Sequence, residues 1–182
     1  MTDIERRFVD LQTTVTGRKL GGYAAVYRQI TDIGYYLEQL APTAFRSVLQ
    51  SDVRGLLNHD PNHLLARTAN GTLKLSSDSH GLEFELTLPD TTLGNDVRAM
   101  VDSGLITGCS FGFVPNQQEW TTHEGRDLRT HVEVAKLLDV SVVTFPAYEG
   151  TNVALRSKPT ESTIDGRTQM IVARHVTLMK GQ

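Results

Sequence analysis

The chain has 182 residues, 39% of them hydrophobic and 21% charged, with a net charge of −3 at neutral pH. This length suits one domain with its own core, and the negative charge argues against nucleic acid as a partner. The single cysteine, Cys109, excludes an internal disulfide framework. The charged opening MTDIERRFVDL predicts no signal peptide, and no apolar run approaches the ~20 residues of a membrane helix. We therefore expect a soluble protein of intracellular type with no membrane partner.

The first half of the chain alternates short strand patterns with turns. Residues 20–28, LGGYAAVYR, predict a strand, and residues 42–49, PTAFRSVL, predict a short helix whose apolar residues share one face. Two strand-like runs then flank Asn70-Gly71, a dipeptide typical of the tight turn in a β-hairpin. This half therefore predicts strands with one short helix.

The second half has clearer patterns. Residues 82–88, LEFELTL, alternate apolar and polar side chains and predict a strand with one wet face. Residues 91–103 predict a helix that a threonine caps and a glycine ends. Residues 105–114 predict a glycine-rich strand, residues 117–135 a polar hairpin turning near Glu124-Gly125, and residues 136–147 an apolar strand.

The predicted elements come as hairpins and not as regular strand–helix alternation. We therefore predict a mainly β fold with flanking helices (α+β), built as an antiparallel barrel or sandwich. After Arg156 the composition changes to KPTESTIDGRTQ, which is typical of a linker. Residues 1–156 are thus predicted to form the functional domain and residues 157–182 a C-terminal tail.

Ser110 is the first candidate for chemistry. It lies in GLITGCSFGF, residues 104–113, where three glycines weaken the strand and leave room for another backbone to approach. In a regular strand Cys109 and Ser110 face opposite sides. Because cysteine is the more often buried of the two, we expect Cys109 in the core and Ser110 facing a groove. The alternative is a small serine that only fills a crowded strand.

A serine hydroxyl becomes a nucleophile when a base takes its proton. Among the six histidines, His59 is the best base, because it follows an apolar run where a strand meets the turn at Asp60-Pro61. Asp139 lies inside the apolar run LLDVSVVTF, where an unpaired carboxylate would be costly. Asp139 either orients a histidine or sits at a bulge facing solvent.

Two other kinds of site use the same residues. His59 and His63 have the spacing of a helical zinc site, but Pro61 between them disfavours a helix, and no third ligand follows at a recognisable spacing. We therefore expect no metal and no cofactor. A cysteine hydrolase with Cys109 as its nucleophile remains an alternative.

Six segments together resemble a known family, the prohead maturation proteases of tailed bacteriophages, which are related to the herpesvirus assemblins. The segments are GYAAVY (22–27), YLEQLAPTAF (36–45), LLNHDPNHLLART (56–68), GTLKL (71–75), GLITGCSFGF (104–113) and LLDVSVVTFPAY (137–148). The resemblance runs from about residue 5 to residue 156, and it implies a small barrel like that of the assemblins.

The resemblance also implies a serine endopeptidase. His59 lies in the histidine motif and Ser110 in the serine motif, while Asp139 falls where the assemblins place a second histidine. The family builds its oxyanion hole largely from backbone after the third-member strand, which here means near Ala147 and Tyr148. No cofactor is implied.

The family's partners are protein substrates. The resemblance implies cleavage of the scaffold and of the capsid protein's N-terminal extension inside the prohead, in the host cytoplasm, together with self-cleavage in the tail after Arg156. Assemblins act as dimers, so a homodimer is plausible. The rival hypothesis is an assembly factor without activity.

Overall fold

A computed structural model of the protein describes residues 4–10 and 14–145. These residues form eleven strands, one α-helix and one 3₁₀ turn. The strands are β1 Glu5–Asp10, β2 Thr14–Thr16, β3 Lys19–Val26, β4 Thr31–Asp32, β5 Leu37–Leu40, β6 Arg54–Leu57, β7 Asp60–Arg67, β8 Leu73–Ser77, β9 Gly81–Thr87, β10 Gly108–His123 and β11 Arg126–Val143. The helix is α1 Thr92–Asp102, and the 3₁₀ turn is Thr68–Asn70.

The strands form two sheets. A seven-stranded sheet has the order β1-β10-β11-β5-β4, with β6 paired to β11 and β7 paired to β6; a four-stranded sheet has the order β2-β3-β9-β8. Most pairs are antiparallel, but β11 runs parallel to both β5 and β6. The fold is mainly β as predicted. The pairing within the described ranges does not close a ring, so the predicted barrel is not confirmed.

The core draws its side chains from both sheets. In β9 the side chains of Leu82, Phe84 and Leu86 are buried while Glu83 is exposed, as its alternating sequence predicts. Phe111 on β10 packs edge-on against Phe45, with ring centroids 5.4 Å apart. One buried apolar cluster therefore holds the β10 strand against the rest of the protein.

The helix predicted at 42–49 is wrong. The segment is a run of tight turns, in which the N–H of Val48 donates to the carbonyl of Phe45, three residues back. A helix would need the Ala44 carbonyl to accept from Val48, but it accepts from the N–H of Val134 on β11 instead, at 2.9 Å. Hydrogen bonds to the sheet thus replace the helical ladder.

The hairpin predicted at Asn70-Gly71 is also wrong. The strands on either side belong to different sheets, since β7 pairs with β6 and β8 pairs with β9. The 3₁₀ turn links them, and Gly71 ends it in a left-handed conformation at φ 74°. The turn at Glu124-Gly125 does join an antiparallel pair, β10 and β11, as predicted.

The predicted helix at 91–103 is confirmed as α1. The hydroxyl of Thr91 accepts from the N–H of Gly94 at 3.2 Å, which caps the first turn, and Val97 is fully buried on the inner face. Gly104 follows the helix at φ 73°. Within residues 4–10 and 14–145, no helix is both long and apolar enough to span a bilayer.

Five ionisable side chains from three strands meet in a second interior feature, the charge cluster: Glu5 and Arg7 on β1, Glu38 on β5, and Arg129 and His131 on β11. Nη2 of Arg7 donates to the Glu38 carboxylate at 2.9 Å, and Nε of Arg129 donates to the same carboxylate at 2.7 Å. His131 Nε2 donates to the same carboxylate at 3.0 Å. Burial works to raise the pKa of Glu38, but the bonds from His131 and Arg7 outweigh it and hold that pKa well below its ordinary value.

Glu38→Gln is expected to lower the free energy of unfolding by about 3–5 kcal/mol at neutral pH, because it leaves Glu5 as the remaining acidic partner of both the Arg7 and Arg129 guanidinium groups in the cluster. The pKa of Glu38 is depressed in the folded state, so its stabilisation is present above the ordinary value of 4.5 and is lost as pH falls. Urea unfolding at several pH values should therefore give a flatter acid dependence for the variant.

Glu85→Gln is the matched control for this experiment. The Glu85 carboxylate pairs with Lys19 at 3.1 Å on the surface, where solvent screens the charges. Glu85→Gln should lose far less stability than Glu38→Gln. Equal losses would show that the charge cluster contributes no more than a surface ion pair.

Candidate active site

His59 lies in a two-residue turn that joins β6 to β7. Asn58 has φ 54° and His59 has φ 58°, so both adopt the left-handed conformation of the tight turns that connect strands in hairpins. Asparagine and histidine adopt this conformation more often than most residues other than glycine, but it is uncommon even for them. A left-handed histidine therefore needs neighbouring contacts that hold it in place.

Asn58 supplies these contacts at the end of β11. Its N–H donates to the carbonyl of Val142 at 2.9 Å. Its side-chain Oδ1 accepts from the N–H of Thr144 at 2.8 Å, and its Nδ2 donates to the Thr144 hydroxyl at 3.1 Å. Because β6 runs parallel to β11, these bonds extend the sheet pairing and place His59 beside β11.

Ser110 and Asp139 come from the neighbouring strands β10 and β11. Their antiparallel register pairs Ser110 with Ser141 and Gly112 with Asp139. Cross-strand partners share a face, and so do residues two apart along a strand, so all four lie on one face of the sheet. Cys109 points to the other face and lies in the core, as predicted.

The three predicted site residues are in direct contact. His59 Nε2 lies 2.7 Å from Ser110 Oγ, and His59 Nδ1 lies 2.6 Å from Asp139 Oδ1. A carboxylate only accepts, so Nδ1 carries the proton and Nε2 is free to accept the serine hydroxyl. Ser110 is 3% exposed and Asp139 7%, so water hardly screens these bonds. This arrangement can activate a serine for nucleophilic attack.

Gly112 makes room for the acid. A Cβ atom at position 112 would collide with Oδ2 of Asp139 on the adjacent strand. A glycine is needed at position 104 for a different reason, because this residue adopts a left-handed φ directly after α1. The expectation that the glycines admit a substrate backbone is thus corrected at these two positions: Gly112 accommodates a carboxylate and Gly104 a turn.

Two residues of the site were not predicted. Ser141 donates from Oγ to Asp139 Oδ1 at 2.5 Å and is fully buried. Its position two residues after Asp139 in LLDVSVV was the available signal, since both then share a face. Asn58 was the other, and an asparagine before a predicted catalytic histidine could have indicated a left-handed turn.

Cys109 is unsuited to nucleophilic chemistry. It is fully buried in the apolar core, and this burial raises the pKa of its thiol far above the ordinary value. Cysteine attacks as the thiolate, which such surroundings suppress. The geometry therefore disfavours a cysteine hydrolase.

His63 does not join His59. Its half-exposed ring has Nδ1 3.2 Å from Oδ2 of Asp60, and the residue lies in β7 and not on a helix. Among the residues that the structure describes, Glu5, Glu38 and His131 do converge as a metal centre would require. The carboxylate of Glu38 already accepts from two arginines there, so guanidinium groups supply the positive charge.

The predicted oxyanion region lies outside the described part of the chain. Ala147 and Tyr148 follow Phe145, the last described residue. Their role in stabilising an oxyanion remains a prediction.

Gly112→Ala is expected to slow serine chemistry, because its methyl group would displace the Asp139 carboxylate and a shift of about 1 Å can cost about 10²-fold. The rate of covalent labelling of Ser110 by a fluorophosphonate, read by intact mass, measures the effect. Gly21→Ala is the control, since a Cβ there meets only the Phe84 carbonyl at 3.6 Å. Equal labelling rates for both variants would contradict the role assigned to Gly112.

Comparison with known proteins assigns the chain to a family. It matches the family model of the caudovirus prohead serine proteases over residues 2–165, and no curated protein matches it. Among solved structures, the capsid assembly protease gp21 of bacteriophage T4 is similar, with 12% identity and a TM-score of 0.47 over 77% of this chain and 96% of that chain. So weak a likeness carries no argument about the site. The family model spans most of the sequence, and the chain therefore belongs to the caudovirus prohead serine protease family.

Proposed function

We propose that the protein is a serine endopeptidase in which Ser110 is the nucleophile, His59 the general base and Asp139 the orienting acid. The observation that carries the proposal is the continuous chain of hydrogen bonds from Ser110 Oγ through the His59 ring to Asp139 Oδ1, at 2.7 Å and 2.6 Å. Membership of a serine protease family supports the same reaction class.

The reaction begins when Ser110 Oγ attacks the carbonyl carbon of a peptide bond. His59 Nε2 takes the hydroxyl proton, and the Asp139 carboxylate stabilises the imidazolium that results. The imidazolium then gives its proton to the leaving amine, and an acyl-enzyme forms on Ser110. Water activated by His59 hydrolyses this ester and restores the serine.

The developing oxyanion requires backbone N–H donors. We place them near Ala147 and Tyr148, which follow β11 in the sequence. One such donor is typically worth roughly 3–4 kcal/mol in the transition state. This assignment rests on the family resemblance alone.

We propose as substrates the scaffold and the N-terminal extension of the major capsid protein, inside the prohead within the host cytoplasm. Self-cleavage in the region after Arg156 and association as a homodimer belong to the same proposal. Membership of a prohead protease family supports this assignment. The rival function is that of an assembly factor without catalytic activity, and the short hydrogen bonds of the site argue against it.

Ser110→Ala should abolish cleavage, because it removes the nucleophile. Intact mass is followed over time for the purified protein, alone and with its cognate capsid protein and scaffold. Wild type should trim these substrates or itself, and the variant should leave all of them whole. Cys109→Ala is the control and should cut like wild type, since Cys109 lies in the core.

The alternatives predict different results. Equal cutting by wild type and Ser110→Ala would exclude Ser110 as the nucleophile. A wild-type protein that neither cuts nor reacts with a fluorophosphonate would instead favour the assembly factor.

Asp139→Asn should reduce kcat by about 10⁴-fold with little change in KM, because the amide would favour the wrong histidine tautomer. A peptide that spans a mapped cut site serves as the substrate. Asp127→Asn makes the same change at an exposed position of the same strand and should be neutral. Similar kcat values for the two variants would remove Asp139 from the mechanism.

A further inference from the structure

We infer that Ser141 is a positioning residue for the proposed reaction: its buried hydroxyl holds the Asp139 carboxylate in the orientation that His59 requires. This inference rests on the proposed function. It extends the chain of hydrogen bonds to four side chains, in the order Ser110, His59, Asp139 and Ser141.

The Asp139 carboxylate is buried, and within residues 4–10 and 14–145 no arginine or lysine forms an ion pair with it. Its cross-strand partner on β6 is Arg54, but Nη1 of Arg54 donates to the carbonyl of Asp52 at 2.7 Å, and its Nη2 lies 3.2 Å from that residue's carboxylate. Among the described residues, the donors to Asp139 are His59 and Ser141. A buried anion with so few donors depends strongly on each of them.

A neutral donor suits this role better than a cation. A guanidinium group at Asp139 would neutralise the negative charge that has to stabilise the His59 imidazolium. The Ser141 hydroxyl stabilises the carboxylate and leaves its charge available. Glu38 shows the contrast, because two arginines compensate its charge.

The geometry fixes the carboxylate on both sides. Oδ1 accepts from His59 Nδ1 at 2.6 Å and from Ser141 Oγ at 2.5 Å. Oδ2 lies against Gly112, where it leaves no space for a Cβ. Ser141 is fully buried, so bulk water cannot replace its hydroxyl. Without this bond the carboxylate is held by His59 and by its packing against Gly112 alone, so the orientation of the base is less well fixed.

Ser141→Ala is expected to lower kcat about 10- to 100-fold, the range for a lost hydrogen bond to a charged group, and to leave KM unchanged. A carboxylate with fewer donors holds the imidazolium more strongly, so the acidic limb of the kcat/KM profile should move to higher pH. Ser141→Thr keeps the hydroxyl and should retain most of the activity.

Val140→Ala is the matched control. Val140 is buried on the same strand but faces the core, and it makes none of the contacts assigned to the His59 turn. This variant should lose thermal stability and keep its kcat and its pH profile. If it loses as much kcat as Ser141→Ala does, Ser141 acts through the fold and the inference is overturned.

A second readout does not depend on cleavage. The proton on His59 Nδ1 should give a far-downfield ¹H NMR resonance that disappears in His59→Ala and shifts in Ser141→Ala. If Ser110→Ala remains fully active, the proposed function fails, while this resonance still reports whether Ser141 acts on Asp139 and His59. A resonance and a pH profile that are identical in wild type and Ser141→Ala would overturn the inference.

Should Ser141→Ala not fold, Ser141→Cys takes its place in both measurements, because a thiol is a weak donor of similar shape. A shifted resonance and a lower kcat in the folded Cys variant support the inference. Wild-type values for both contradict it.

Discussion

The register between β10 and β11 is the constraint on which the site depends. It sets Ser110 opposite Ser141 and Gly112 opposite Asp139. A slip of one residue would turn every one of these side chains to the core face and expose Cys109 and its apolar neighbours. The burial of that apolar face therefore fixes the site: the same packing that stabilises the sheet prevents Ser110 and Asp139 from moving apart.

Two buried carboxylates, those of Glu38 and Asp139, differ in the charge of the groups that donate hydrogen bonds to them. Glu38 accepts from two arginines and a histidine, so its charge is compensated and its bonds tie β1, β5 and β11 together. Asp139 has only a histidine and a serine hydroxyl among the described residues. The first arrangement uses charge for stability. The second leaves the Asp139 charge without an arginine or lysine partner among the described residues, as its proposed role in stabilising a transient imidazolium requires.

The sequence was sufficient to predict features that depend on local residue patterns and on the chemistry of single residues. Alternation predicted β9, capping predicted α1, and the rarity of an aspartate in an apolar run indicated Asp139. Such predictions failed where distant strands decide the outcome. The segment 42–49 forms turns because the Ala44 carbonyl, which a helix would use, accepts from the N–H of Val134 on β11. Asn70-Gly71 connects two sheets because the strand before it pairs with β6 and the strand after it pairs with β9. The division into sheets, the parallel pairing of β11 and the bond from Ser141 are likewise long-range facts.

The left-handed turn at His59 also has a consequence for timing during synthesis. Its anchor at Thr144 lies 86 positions further along the chain than Asn58, and the other three members of the hydrogen-bonded chain, Ser110, Asp139 and Ser141, lie between these two points in the sequence. A ribosome-bound chain that ends before β11 has neither the acid nor the strand end that holds the histidine. Such an incomplete chain carries Ser110 and an unanchored His59 without Asp139, so the proposed serine chemistry has to wait until β11 has been synthesised.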